Sequence, residues 1–426
     1  MIQENFLYYI WQYKYFDLND LKTVQGEPLI LMSVGNRHSN SGPDFSEALI
    51  RIGETVWAGN IEIHVKSSDW KLHRHDDDAA YNSIVLHVVY EYDTPIFRTD
   101  GSEIPCFVLK NRIPPKILAE YNNLSLNEHA VPCHNLVQTV SPMVRTAWLE
   151  RLLIERLEQK TAQLQELPAL RENNIEEAFY QAIARSFGVN VNSEPFEQLA
   201  KSLPMTILAK NKAHIFTLEA LIFGQAGLLH ADFTDDYPQR LQREYQYLKH
   251  KYSLTPINGT AWKFLRMRPA NFPTIRLAQF AQLIHQSSHL FSKLLETDDM
   301  NTAYSYFDVE VSDYWQTHFT FDNETAKSTR KTIGKTTIDL LFINTIIPFL
   351  FLYGSLRNEE TLCSKALEWL ENIAPEKNSI LNVWQELGFS PNNAAESQSL
   401  LQLQKHYCSK KRCLQCSIGH AILGKK

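Results

Sequence analysis

Two periods of apolar repetition divide the chain. Up to about residue 112, apolar residues come in short runs or alternate with polar ones, the two-residue period of strands. Residues 29–34, 47–52, 55–66, 84–92 and 104–109 are rich in Val, Ile and aromatics, with Gly35-Asn36, Gly42-Pro43 and Asp100-Gly101 as turns. Residues 84–90, IVLHVVY, are apolar on both faces and read as a central strand. Residues 3–14 read as an aromatic-rich helix. The expectation is a sheet of about five strands with at least one helix.

From about residue 140 the period becomes helical. Residues 144–164, 175–187, 213–229, 237–252, 274–286, 337–353, 359–373 and 394–407 predict helices, with Gly188 as a C-cap. Residues 304–321, dense in aromatic and β-branched side chains, predict a hairpin. The fold class is therefore α+β: an N-terminal mixed β-sheet domain (1–112) with a flanking helix, a linker (113–140), a large all-α region (141–400) and a Cys/His knuckle (401–426). Residues 218–229, LEALIFGQAGLL, carry small residues suited to close packing in the helical core.

Composition narrows the classes. A 426-residue chain can bury more than one core, and 44% apolar with 21% charged residues is ordinary for a globular protein. A net charge of −6 argues against wholesale coating of nucleic acid or an anionic membrane. The N-terminus lacks a basic segment followed by an apolar core, and the apolar run 340–353 is short for a bilayer and holds Asn344 and Pro348. A cytoplasmic location with no membrane partner is the expectation. Oligomeric state is not encoded in any of these patterns.

One strand concentrates chemistry. In residues 61–66, I-E-I-H-V-K, alternation puts Glu62, His64 and Lys66 on one face, while Asp44 follows the Gly42-Pro43 turn. Asp44 and Glu62 offer hard oxygen ligands for Mg²⁺ or Mn²⁺, and Lys66 suits a phosphate. Pro43-Asp44 with Lys66 resembles the PD-(D/E)xK nuclease superfamily, except that His64 stands where its acid would be and Glu62 lies one pleat repeat further along. That resemblance implies a metal-dependent phosphodiesterase acting on nucleic acid, with Asp44, Glu62, His64 and Lys66 as catalytic residues. His73, His75 and His87 form a second candidate set, for a His-ligated metal hydrolase; His73-x-His75 on a strand would present both rings to one face.

Two further groups stand apart. Cys408, Cys413 and Cys416 follow the pattern C-x4-C-x2-C, with His420 after three intervening residues, suited to a structural Zn²⁺ with His420 or His406 as fourth ligand. An Fe–S cluster is the alternative, with Cys363, Cys133 or Cys106 as its remote ligand. A non-catalytic, zinc-stabilised scaffold is the competing function. Arg266, Arg268 and Arg276, around a Pro-bounded turn leading into a helix, are candidate anion-binding residues.

The motifs GPDF, GNIEIHVKSSDW, HRHDDDAAYN, LEALIFGQAGLL, RMRPANFPTIRLAQ and the closing C-x4-C-x2-C-x-I-G together resemble the bacterial family called domain of unknown function 2851. That resemblance spans nearly the whole chain and implies no established activity.

Overall fold

The sheet is built outward from its longest strand. In a computed structural model that describes residues 2–38, 42–189 and 191–424, the strands are β1 (Leu29–Ser33), β2 (Asn36–Arg37), β3 (Phe45–Ile52), β4 (Thr55–Lys66), β5 (Ile84–Glu91) and β6 (Cys106–Val108). Their order is β1-β3-β4-β5-β6, with β2 also pairing β3. β1, β3 and β4 are antiparallel neighbours, whereas β4–β5 and β5–β6 are parallel. The mixed sheet is as expected; β2 is too short for an alternation signal. Gly59 lets β4 approach β5, because a Cβ there would overlap Val85.

The chain divides into two compact units, Met1–Trp148 with Leu403–Lys426, and Leu149–Gln402. In the first, helix α1 (Glu4–Gln12) buries Phe6, Ile10 and Trp11. Phe6 stacks on Tyr121 with ring centroids 4.0 Å apart. Tyr121 lies on helix α3 (Pro115–Leu126), whose buried Ile117 and Leu124 make this segment part of the core. With Val131, Cys133, Val137 and Val140 also buried, residues 113–140 are packed structure and not the expected linker. Its prolines mislead: Pro115 opens a helix, where a missing N–H costs nothing. The Cys-bearing C-terminal segment likewise folds as part of the first unit, not as a separate knuckle.

The second unit is helical. Ile175–Phe187 forms as the periodicity requires: Asn174 caps it by accepting from the Glu177 N–H, and Gly188 ends it. Residues 304–321 are not a hairpin. They hold the end of helix Met300–Ser305, the short helix Asp313–Thr317 and isolated bridges from Glu310 and His318. Their aromatic residues pack a helical core instead, Trp315 stacking on Phe223 at 4.9 Å.

The apolar run 340–353 extends in both directions into a 23-residue helix, Lys335–Arg357, long and apolar enough to cross a membrane. Two-thirds of its apolar window (67%) is buried inside the protein, so it serves as a core helix here. A π-turn at Phe342–Ile346 precedes Pro348 and absorbs the break that a proline imposes on the hydrogen-bond ladder.

Gly224 on helix Ile215–Gln225 faces the ring of Tyr245 on helix Asp236–Tyr252, and a Cβ would overlap that ring. Gly224→Ala is therefore expected to cost about 1–3 kcal/mol by overpacking, read as a lowered urea midpoint. On the same helix Glu219 is fully buried, accepting from Ser312 Oγ at 2.9 Å and from the Tyr237 hydroxyl. Burial pushes its carboxyl up to about 7, against the opposing pull of those hydrogen bonds. A folded-state value above the unfolded one means that the unfolded chain loses its proton first. Stability from this residue therefore falls as pH rises from about 4.5 to about 7. Glu219→Gln, which mimics the protonated form, should flatten that slope in urea titrations across pH; an unchanged slope would refute the assignment.

Candidate metal centre

The central strand β4 carries a polar face that is buried, not solvated. Glu62 is 4% exposed and His64 1%, while Ile61 and Ile63 fill the opposite face. In the parallel register Glu62 lies directly beside His87, which is fully buried on β5. Buried polar groups need partners, and these find each other. His64 Nδ1 is 2.8 Å from His87 Nε2, and His64 Nε2 is 3.1 Å from His73 Nδ1.

His73 and His75 arrive by a route that strand alternation does not foresee. β4 ends in a turn locked by two carboxylates. Asp93 accepts from the Ser67 hydroxyl and from the N–H and hydroxyl of Ser68, and Asp69 accepts from the Lys66 N–H. The chain then forms the short helix α2 (Asp69–Leu72), which buries Trp70, and His73 follows it. Arg74 adopts a left-handed conformation with φ 59°, and His75 begins a 3₁₀ turn. That reversal, not a strand, turns both imidazoles toward His64. Trp70 packs edge-on against His64, His75 and His87, and Tyr81 stacks on His75 at 3.8 Å.

Among the described residues, His64, His73 and His75 form the one set of three ligating side chains whose donor atoms all lie within 4.8 Å of one another. Glu62 Oε1 adjoins them, 3.2 Å from His75 Nε2 and 3.8 Å from His64 Nε2. A tetrahedral ion with bonds of about 2.0–2.1 Å holds its ligand atoms about 3.3 Å apart. His64 to His73 at 3.1 Å, and Glu62 to His75 and His64 at 3.2 and 3.8 Å, lie near that edge. His75 Nε2 is buried and makes no hydrogen bond, so its lone pair remains open to an ion, with Glu62 Oε1 beside it. His73 is exposed, so the set opens to solvent on one side.

Electrostatics favour lone pairs at this point. Burial, then the neighbouring imidazoles, depress His64 to about 2; burial, then His75, depresses His87 to about 3. Both rings are neutral. With the shared proton on His64 Nδ1, donated to His87 Nε2, His64 Nε2 keeps its lone pair toward His73 and Glu62. His87 then acts as the outer partner that fixes the tautomer of a ligand, at the cost of a buried Nδ1 with no partner.

Asp44 lies behind Glu62. Its N–H donates to Glu62 Oε2 at 3.0 Å, and its Oδ2 accepts from the Ile63 N–H at 2.9 Å. Burial, then the charge of Glu62, pushes its carboxyl up to about 7; a bound cation would oppose that shift. Tyr8 and Glu4, four residues apart on α1, complete this wall: the Tyr8 hydroxyl donates to Glu4 Oε2 at 3.5 Å and faces Asp44. Neither was singled out from sequence, where both fall within the aromatic-rich helix expected over residues 3–14.

The remaining candidates separate. Lys66 shares the strand face but stands exposed at its end, where its charge faces Asp93. Arg266 and Arg268 are exposed on the second unit. Arg276 is buried and donates to Gln279, Asn271 and Thr337, so it holds the fold together and is not offered to a substrate. His420 does not join the cysteines: its Nδ1 is 3.1 Å from the Tyr9 hydroxyl and its Nε2 3.3 Å from that of Tyr15, with Tyr13 packed edge-on at 4.5 Å.

With this geometry in place, residues 4–379 match the family described as Protein of unknown function (DUF2851). The chain belongs to that family. No curated protein and no solved structure matches it. The family match takes in the whole histidine set and stops before Cys408, Cys413 and Cys416.

In this DUF2851 protein, His73→Ala should abolish tight Zn²⁺ or Co²⁺ binding at this site, and His87→Ala should weaken it about 10–100-fold through the lost outer partner. Lys66→Ala should leave it unchanged. Competition titration against a chromophoric chelator reads all three, and equal affinity in every variant would remove the site.

Proposed function

We propose that the first unit is a divalent-metal hydrolase centre, with His64, His73 and His75 as ligands and Glu62 beside them. The observation that carries this reading is the convergence of three imidazole donors within 4.8 Å of one another, with a carboxylate oxygen 3.2 Å from one of them and 3.8 Å from another, on a wall open to solvent at His73. An ion bound there supplies Lewis acidity and lowers the pKa of water. The chain supplies the rest. His87 holds His64 in the ligating tautomer, and the Asp44 N–H holds Glu62 Oε2, leaving Oε1 aimed at the histidines, placed to take a proton from water. Trp70 and Tyr81 wall the inner side and keep the rings in place.

The phosphodiesterase expectation retains one supporting feature, the adjacent Asp44 and Glu62 carboxylates. It lacks the lysine beside them, since Lys66 turns to the exposed end of β4. The histidine-ligated reading therefore stands first, and phosphodiesters and nucleic acid enter as one substrate class to be tried.

The test is turnover of chromogenic carboxylic esters and phosphodiesters by protein loaded with Zn²⁺ or Mn²⁺. Glu62→Gln is expected to lower kcat about 100-fold or more, in line with loss of general-base catalysis, while a bound ion persists. Metal-loaded wild type without turnover on either class would overturn the hydrolytic reading and favour a structural ion in a non-catalytic scaffold.

A further inference from the structure

We infer that Cys133, Cys408, Cys413 and Cys416 together hold an iron–sulfur cluster. All six cysteines of the chain are free, and these four lie in the first unit. Cys133, Cys408 and Cys416 are buried and Cys413 is half-buried. Two hydrogen bonds bring the 125–133 segment to the C-terminal one: Gln404 Nε2 donates to the Ala130 carbonyl at 2.7 Å, and Lys411 Nζ to the Ser125 carbonyl at 2.9 Å. Gly419 lies so close to the Cys413 carbonyl that a Cβ would overlap it, which folds the last helix, Ser417–Leu423, over the turn at Cys413–Gln415.

The sulfurs act on one another. Burial first, and then the other thiols, raise Cys133 and Cys413 to about 12 and Cys408 higher still; burial also raises Cys416. Cys416 already has donors of the kind a metal-bound thiolate uses, the N–H groups of Ile418 and Gly419. Lys405, Lys410, Lys411 and Arg412 are exposed on the same segment and balance the negative charge of a tetrathiolate centre.

The spacing distinguishes the kinds of centre. Four thiolates on one zinc ion would be about 3.8 Å apart, given bonds of about 2.3 Å. No three of these sulfurs lie within 4.8 Å of one another, because the histidine set alone meets that condition among the described residues. The wider set suits a polynuclear cluster. His420, engaged by Tyr9 and Tyr15, is not a ligand, and Cys133 takes the place assigned to it. The cluster would staple residues near 133, where the chain is about to leave the first unit, to the segment on which it returns.

The experiment is iron and acid-labile sulfide analysis, with visible absorption, on full-length protein purified without oxygen. Wild type is expected to hold iron and sulfide in equal amounts with the broad absorption of such a cluster. Cys133→Ser and Cys416→Ser should lose most of both, and Cys106→Ser, Cys363→Ser and His420→Phe should retain them. Zinc in place of iron, no metal at all, or full iron in folded Cys133→Ser would overturn the inference. Should the serine variants fail to fold, wild-type iron and sulfide together with retention in His420→Phe still decide it. Zn²⁺ or Co²⁺ binding at the histidine set is read separately and does not depend on this outcome.

Discussion

The parallel pairing of β4 with β5 is the constraint from which the first unit follows. It sets Glu62 beside His87 at the centre of the sheet and allows neither to reach water. A sheet can bury an apolar face without further condition, but a buried polar face must be satisfied from the covering layer. That need accounts for what lies over β4. Tyr8 and Glu4 approach from α1, Trp70 from α2, and Tyr81 from the turn before β5. Each contributes either a hydrogen bond or a ring contact to this cluster of buried polar groups.

The turn after β4 is the second requirement. Asp93 and Asp69 tie down Ser67, Ser68 and Lys66, so the departure angle of the chain is defined by hydrogen bonds and does not depend on packing alone. Arg74 in the left-handed region then reverses direction within one residue. Non-glycine residues pay for that conformation in energy. Here it accompanies the convergence of His73 and His75 on His64, a geometry that no regular strand or helix produces at a spacing of two.

The second unit shows the same logic with a different outcome. Its buried polar residues are matched internally: Glu219 by Tyr237 and Ser312, Arg276 by Gln279, Asn271 and Thr337, and Gln225 by Tyr245 at 2.9 Å. No three metal-ligating side chains converge there among the described residues. Those groups specify how helices register against one another, whereas the converging histidines lie in the first unit.

Much of this was legible in the chain itself. Alternation located β3, β4 and β5 and put Glu62 and His64 on one face, and helical periodicity located the long helices, because both signals are local and repeat over many residues. Alternation could not say that this face is buried, since exposed and covered polar faces share one pattern. It therefore suggested Lys66 as a partner for Glu62, when the strand end carries that lysine into solvent. Proline content suggested a linker at 113–140, where Pro115 starts a buried helix. Local spacing also chose His420 for the cysteines and left Cys133 as one of three remote alternatives; tertiary packing gave the His420 ring to Tyr9 and Tyr15 and tied the segment before Cys133 to the C-terminal one. Sequence by itself determined which residue types are available and the periods on which they repeat. Which of them meet was decided by the tertiary structure, because contacts between distant segments depend on loop paths and burial that no local pattern encodes.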